Sequence, residues 1–271
     1  MSVVRFIDVA KRFADEARGY AVQGLNLEVV RGELVAVVGK TGCGKSTMFN
    51  LLIGLIGPTA GRIEVLGKDP FSEFNALAGK LSFVFQNDRL LPWRNALDNV
   101  AYGLELRHVG KRQRLAVGLA WLSRLGLEAH RDNYPHALSG GMRQRVSIAR
   151  AFATDPEILL CDEPFSALDE LTGAQLREEL RRLVHDTHKT GVFVTHSINE
   201  AMAIGDRILV FRAPGHVAAE FRTRDALHEL GEAQLKQQIL DVMGNGEIVT
   251  ASGSGEPWPD QDPTEVRPML D

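Results

Sequence analysis

The stretch Gly39-Lys40-Thr41-Gly42-Cys43-Gly44-Lys45-Ser46-Thr47 fits the pattern G-x-x-x-x-G-K-[ST], which is typical of a loop that wraps around phosphate groups. An apolar run at residues 34–38 precedes it, and a helix-like run at residues 47–53 follows it. Backbone N–H groups in such a loop, with a helix N-terminus behind them, offer positive charge to a triphosphate. A glycine-rich turn that carries a lysine by chance would need neither the strand nor the helix. The sequence therefore predicts a nucleotide-binding loop.

Individual residues of this loop have candidate roles. Glycines at positions 39, 42 and 44 allow the backbone to approach the phosphates closely. Lys45 is expected to reach the β- and γ-phosphates, and the Ser46 hydroxyl to bind Mg²⁺. The candidate nucleotide-binding residues are Gly39, Lys40, Thr41, Gly42, Cys43, Gly44, Lys45, Ser46 and Thr47.

The bulk composition excludes several classes of protein. The chain has 271 residues, of which 44% are hydrophobic and 24% charged, and its net charge of −4 gives no reason to expect nucleic acid as a partner. No apolar run reaches the 18 residues of a membrane span, and the N-terminus lacks the pattern of a secretion signal. Two cysteines make a disulfide framework improbable. We therefore expect a cytoplasmic protein.

A second site for an anion is predicted at Leu138-Ser139-Gly140-Gly141. The residues that follow have helical periodicity, so Ser139 is expected to open a helix whose N-terminus faces a ligand. The apolar face of this helix comprises Met142, Val146, Ala149 and Ala153, whereas Arg143, Gln144 and Arg150 are expected to face elsewhere.

Two carboxylates and a histidine stand at the ends of predicted strands. Asp162 and Glu163 close the apolar run at residues 157–161, and His196 closes the run at residues 192–195. Strand ends of a parallel sheet meet at the ligand crevice. Asp162 is a candidate Mg²⁺ ligand, as in other phosphate-loop ATPases, and Glu163 would point at the attacking water. Carboxylates that merely cap the next segment would explain one of the two acidic residues but not both.

Several apolar residues lie in stretches with loop chemistry. Phe13 is either a core aromatic or a platform that stacks on a nucleotide base, and Tyr20 is its rival for that role. Leu90, Leu91 and Trp93 either pack over the core or form a pocket for a partner helix.

The order of elements predicts an α/β fold: a phosphate-loop core with a mostly parallel sheet, an N-terminal antiparallel β subdomain and an inserted α-helical subdomain. The expected strands are at residues 3–9, 25–30, 34–38, 61–65, 81–85, 157–164, 192–196, 207–211 and 217–221, and the expected helices lie within 47–53, 96–127, 142–153, 171–188 and 223–243. The expected boundaries are an ATP-binding domain at 1–225 with its helical subdomain at about 88–150, a C-terminal helical extension at 226–243, and a disordered tail at 244–271.

Over roughly residues 3–220 the chain resembles the ATP-binding subunits of ABC transporters. The loop at 39–47 resembles their Walker A motif, and residues 158–163 resemble Walker B with its catalytic glutamate. The remaining motifs appear in the family's order: Gln86 as the Q-loop glutamine, residues 138–145 as the signature, residues 166–169 ending in Asp169 as the D-loop, and His196 as the switch histidine. Phe13 matches the position of the family's base-stacking aromatic.

This resemblance implies a head-to-tail homodimer that hydrolyses ATP with Mg²⁺. Ser46, Gln86 and Asp162 would bind Mg²⁺, and Glu163, His196 and Gln86 would be the catalytic residues. Signature residues of one copy would bind the γ-phosphate held by its partner: Ser139, Gly140, Gly141 and Gln144.

The resemblance also implies further partners. Two transmembrane permease subunits would hold the dimer at the cytoplasmic face of the inner membrane, with Leu90, Leu91 and Trp93 exposed and lining the groove for a permease helix. A periplasmic or lipid-anchored solute-binding protein would take part indirectly.

Residues 90–100 and 195–201 are similar to the branch that imports nitrate, sulfonates and taurine, in which Asp usually stands at the position of Ser197. An exporter ATPase and a soluble, non-transport ABC ATPase are the alternatives. A kinase or GTPase would not need Ser139–Gly141, and a binding-only module would lack turnover.

Overall fold

The computed structural model describes residues 1–13 and 19–244, and it places nine strands and seven α-helices in those ranges. The strands are β1 (Ser2–Arg12), β2 (Tyr20–Val30), β3 (Leu34–Gly39), β4 (Ala60–Val65), β5 (Leu81–Val84), β6 (Ile158–Asp162), β7 (Thr190–Thr195), β8 (Arg207–Arg212) and β9 (His216–Arg222). The helices are α1 (Lys45–Leu52), α2 (Ala96–Leu106), α3 (Lys111–Arg124), α4 (Gly140–Ala153), α5 (Glu170–Asp186), α6 (Ile198–Ile204) and α7 (Thr223–Gly244).

The larger sheet has six strands in the order β5-β6-β7-β3-β8-β9. All neighbouring pairs are parallel except β8 and β9, which form an antiparallel hairpin. The central strands β3, β6 and β7 are almost entirely buried, in keeping with their continuous apolar runs. Because these strands run parallel, their carboxyl ends bring the loop after β3, Glu163 after β6 and His196 after β7 to one edge.

The smaller sheet is antiparallel, with the order β2-β1-β4. It packs with α1 against one face of the larger sheet, while α4 to α7 cover the other face. The alternation of side chains along β3 explains this division. Val35 and Val37 pack toward the smaller sheet and α1, and Ala36 and Val38 pack toward the helices on the other face. The predicted fold class is confirmed.

The region predicted as helical at 96–127 contains two helices. α2 ends at Leu106, His108 takes a left-handed backbone conformation, and α3 begins after Gly110. Both helices pack with α4, so α4 belongs to this helical layer. None of the helices in the described ranges is long and apolar enough to cross a membrane.

Two helical segments differ from the prediction. The short helix α6 was not predicted, although Ser197 and Glu200 form a capping pattern in which the Ser197 hydroxyl accepts the Glu200 N–H. α7 is interrupted at Gly231, whose φ of 75° is not helical, so two helical pieces replace one. α7 includes Gly244, the last residue of the described range, and residues 245–271 of the expected tail lie outside the described residues.

Candidate nucleotide site

The loop between β3 and α1 is packed from behind. Gly44 has a φ of 105°, and a Cβ there would lie 2.6 Å from the Ala21 carbonyl oxygen and 2.8 Å from the Gly215 Cα. Only glycine satisfies both the backbone conformation and the space. The start of β2 and the turn between β8 and β9 therefore support the loop's shape.

Lys45 crosses the inside of this loop. Its side chain is buried, and its ammonium group donates hydrogen bonds to the carbonyl oxygens of Gly39 at 2.5 Å and Lys40 at 3.1 Å. The Cys43 sulfur is 3.9 Å from the same nitrogen and only 4% of that residue is exposed. Cys43 therefore presents its backbone, and not its thiol, to a ligand of the loop.

The strand ends bring Glu163 and His196 into contact. The His196 Nδ1 lies 3.1 Å from a carboxylate oxygen of Glu163, and His196 is the more exposed of the two side chains. Glu163 has a φ of 45°, a conformation that non-glycine residues rarely adopt, and its N–H donates to the Val194 carbonyl oxygen at 2.8 Å. This bond to β7 holds the Glu163 backbone at the sheet edge.

Asp162 lies in an electrostatically crowded position beside Glu163. Burial and the nearby Glu163 carboxylate raise the pKa of Asp162, whereas the positive charges of Lys45 and Arg89 oppose that shift. These influences place Asp162 near the loop lysine. Ser46, Gln86 and Asp162 offer hydroxyl, amide and carboxylate oxygens, which suit Mg²⁺ bound mainly through substrate phosphates. No cluster of three or more His, Cys, Asp or Glu residues that could hold a metal ion occurs in the described ranges.

The raised pKa of Asp162 has a consequence for stability. A carboxyl group whose pKa is higher in the folded than in the unfolded protein stabilises the fold when it is protonated, at a pH below its unfolded pKa of about 3.9. This stabilisation is lost as the pH rises through the folded pKa. The ionised form therefore destabilises the nucleotide-free subunit at neutral pH. We expect Asp162→Asn to raise the melting temperature at pH 7 by a few degrees, because asparagine carries no charge that burial and Glu163 disfavour.

Thermal unfolding at several pH values, without nucleotide, checks this expectation. The gain should shrink as the pH falls toward 4, and Asp132→Asn, at a carboxylate whose side chain is 76% exposed, should leave the melting temperature at pH 7 unchanged. A lower melting temperature for Asp162→Asn at pH 7 would contradict it.

The segment that contains Gln86 is held by helix α4. We call residues 85–89 the Gln86 segment. Gln144 donates to the Phe85 carbonyl oxygen at 3.4 Å, and Arg143 pairs with the Asp88 carboxylate at 2.9 Å. Arg150 donates to the carbonyl oxygens of Asp88 and Arg89, both at 2.7 Å. The prediction that Gln144 binds the partner's nucleotide is wrong for its side chain, which is 3% exposed and faces its own subunit.

The residues Ser139, Gly140 and Gly141 open α4. The Ser139 hydroxyl accepts the Met142 N–H at 3.3 Å, which caps the helix and leaves an exposed N-terminus. With Asp169, which caps α5 by accepting the Thr172 N–H at 3.0 Å, these residues line a cavity of about 330 Å³. None of the described residues that line it belongs to the loop at 39–47.

The loop that follows the Gln86 segment presents Trp93 to solvent. Trp93 is 71% exposed, whereas Leu90 is buried in the core and Leu91 is half-buried. The expectation that Leu90 is exposed is wrong, because it packs under the loop. The fully buried Asn99, which the sequence analysis missed, accepts the Leu91 N–H at 2.8 Å and donates to the carbonyl oxygens of Leu91, Arg94 and Asn95.

The two aromatic candidates for base stacking lie at the open ends of β1 and β2. Phe13 is 47% exposed and Tyr20 is 41% exposed, with Lys11 and Arg12 over their respective rings. Residues 14–18, between them, lie outside the described residues. Tyr20 directly precedes Ala21, whose carbonyl oxygen packs behind Gly44, so Tyr20 lies near the loop. Base stacking by Phe13 or by Tyr20 stays a prediction.

Residues 22–166 match the family model described as "ABC transporter". The chain belongs to the ABC transporter ATPase family. It is 43% identical over 198 residues to an uncharacterized ABC transporter ATP-binding protein of Methanocaldococcus jannaschii, with 73% of each chain covered. It is 41% identical over 212 residues to the taurine import ATP-binding protein TauB of Escherichia coli (strain K12), with 78% of this chain and 82% of TauB covered.

A solved ABC structure has the same fold. The dimeric ATP-binding cassette MJ0796, in a post-hydrolysis state bound to ADP and Pi, is 35% identical, with a TM-score of 0.71 over 82% of this chain and 99% of that chain. This chain is accordingly an ABC-type ATPase, which binds and hydrolyses ATP.

Proposed function

We propose that the chain is the ATP-hydrolysing subunit of a bacterial importer for a small solute, and that it works as a head-to-tail homodimer. One observation carries the dimer: the loop at 39–47 and the cavity at Ser139–Gly141 are separate sites of one subunit. Each exposes backbone N–H groups at a helix N-terminus, which suits an anion. Two copies turned head to tail would let each Ser139–Gly141 segment close on the triphosphate held by the other copy's Lys45.

The chemistry proposed for the composite site is positioning and electrostatics. Lys45 would hold the β- and γ-phosphates, and Glu163 would polarise the attacking water while His196 contacts the γ-phosphate. Ser46, Gln86 and Asp162 would hold Mg²⁺, which neutralises charge on the phosphates when bound. The contact between His196 and Glu163 supports these roles, because both side chains reach the same point of the sheet edge.

The proposal that the transporter is an importer is supported by the relative named for taurine import. The solute is proposed to be nitrate, a sulfonate or a taurine-like molecule, recognised by a periplasmic or lipid-anchored protein and passed through two permease subunits. The subunit would be peripheral, at the cytoplasmic face of the inner membrane. Solute accumulation by membrane vesicles, in contrast to extrusion, separates this proposal from an exporter.

The permease contact is proposed to lie at Trp93. A large aromatic side chain that is 71% exposed, on a loop fixed by Asn99, has the character of an interface anchor. Leu91 would contribute part of its side chain, and Leu90 would act only from beneath.

The Trp93→Ala variant is expected to lose permease binding while its subunit still binds ATP. Loss of an aromatic anchor that is buried in a complex costs about 2 kcal/mol or more of binding free energy, which corresponds to roughly a thirtyfold weaker association. Tagged subunits and their cognate permeases, co-expressed and co-purified, give the measurement, and nucleotide binding by the isolated subunit gives the check on folding.

Leu240→Ala is the matched control, since Leu240 is an exposed apolar residue on α7, outside the Trp93 loop. Equal permease recovery with Trp93→Ala and Leu240→Ala would refute docking at Trp93.

A further inference from the structure

A buried ion pair lies between α5 and α6, outside the contacts described above. Arg177 of α5 lies 3.2 Å from a carboxylate oxygen of Glu200 on α6, and their side chains are 11% and 12% exposed. The other carboxylate oxygen of Glu200 accepts a hydrogen bond from the Thr195 hydroxyl at 2.6 Å. A buried charge needs such partners, because an unpaired one is costly.

Hydrogen bonds connect Glu200 with the residues on both sides of His196. Thr195 is the residue before His196, and its hydroxyl also accepts the Ser197 N–H, from the residue after it, at 3.0 Å. The Ser197 hydroxyl in turn accepts the Glu200 N–H at 3.3 Å. The backbone on both sides of His196 is therefore fixed to Glu200, while the imidazole remains 58% exposed.

The Arg177 end reaches the start of α5. A second guanidinium nitrogen of Arg177 lies 2.8 Å from a carboxylate oxygen of Glu170, whose side chain is 85% exposed. Glu170 directly follows Asp169, which lines the cavity shared with Ser139–Gly141. One guanidinium thus joins the rim of that cavity to the segment that carries His196. An arginine suits this position, since its planar group can serve two carboxylates at once.

We propose that Arg177 is a positioning residue, which ties the Asp169–Glu170 segment to the backbone around His196. Contact of a second copy with the Asp169 segment would then fix His196 against the γ-phosphate of the ATP in its own subunit. This inference rests on the proposed function, because it takes the role of His196 and the homodimer from there.

Arg177→Met removes the charge and keeps the length of the side chain. We expect turnover of the intact transporter to fall about tenfold, within the range of coupling between sites, while ATP affinity of the isolated subunit changes less than about twofold. Arg177→Lys should restore part of the turnover. Arg182→Met is the matched control, since Arg182 is an exposed arginine of the same helix that pairs with Glu178; it should leave turnover unchanged.

A structural readout separates positioning of His196 from general stability. The imidazole signals of His196 in the isolated subunit, assigned by their loss in His196→Ala, should shift in Arg177→Met and stay in place in Arg182→Met. Unchanged imidazole signals, or turnover and ATP affinity that fall together, would overturn the inference.

One further variant and one comparison between variants complete the test. If Arg177→Met does not fold, Glu170→Gln replaces it, since the Glu170 side chain is 85% exposed and its change leaves the pair of Arg177 and Glu200 in place. Turnover two- to fivefold lower is expected, and unchanged turnover would overturn the link to the Asp169 segment. Full turnover in His196→Ala would refute the proposed function itself, whereas an inactive His196→Ala beside a fully active Arg177→Met would refute only the inference about Arg177.

Discussion

The Glu163→Gln variant is expected to bind MgATP and to hydrolyse it about 100 to 10,000 times more slowly than the unchanged protein. Glutamine has the size of glutamate but cannot accept a proton from the attacking water. The contact between His196 and residue 163 can survive as a hydrogen bond, so the geometry of the sheet edge is kept. Phosphate release by the intact transporter measures turnover.

The Glu163→Gln variant should also accumulate as a dimer when MgATP is present. If ATP joins the two copies and its hydrolysis releases them, the slow variant elutes as a dimer on size exclusion with MgATP. Glu178→Gln, at a carboxylate of α5 that pairs with Arg182, should hydrolyse ATP normally and give no such dimer. Normal turnover in Glu163→Gln would remove Glu163 from the role proposed for it.

The Ser139→Asp variant is expected to lose ATP-driven dimerisation, with turnover reduced a hundredfold or more. Aspartate caps a helix about as well as serine, so α4 and the isolated subunit should fold normally and bind ATP. Its charge, however, would face the partner's triphosphate. Two like charges about 4 Å apart near a protein surface repel by about 4 kcal/mol, which is enough to account for the loss.

Ser139→Asn provides the matched control, because asparagine caps the helix without a charge. Analytical ultracentrifugation with MgATP, in the Glu163→Gln background, should show dimers for Ser139→Asn and monomers for Ser139→Asp. Dimers for both variants would mean that the helix N-terminus at Ser139 does not meet the partner's phosphates.

Local rules predict how the sheet edge assembles. Continuous apolar runs at β3, β6 and β7 indicate buried parallel strands, and such strands end at one edge. Glu163 and His196 could therefore be placed together from the sequence alone. Their contact in the structure follows from that rule and from the hydrogen bond between Glu163 and Val194.

Side-chain burial could not be predicted in the same way. Gln144 lies on a polar stripe of α4, yet it is buried because the Phe85 carbonyl oxygen, 59 positions away in the chain, needs a donor. Leu90 stands in a stretch with loop chemistry and is buried because α2 and α4 form a surface beneath it. The ion pair of Arg177 and Glu200 joins two helices, one of which was not predicted.

The grip of α4 on the Gln86 segment has a consequence for stoichiometry. Helix α4 contacts the Gln86 segment, just before the Trp93 loop, through Arg143, Gln144 and Arg150. We therefore expect the Trp93 loop and the N-terminus of α4 to move together. If Trp93 contacts a permease, every displacement of that permease is shared with the Ser139 end of the helix. The number of ATP molecules hydrolysed per transported solute would then depend on the stiffness of these few contacts. If the contacts were loose, ATP would be hydrolysed without movement of the permease.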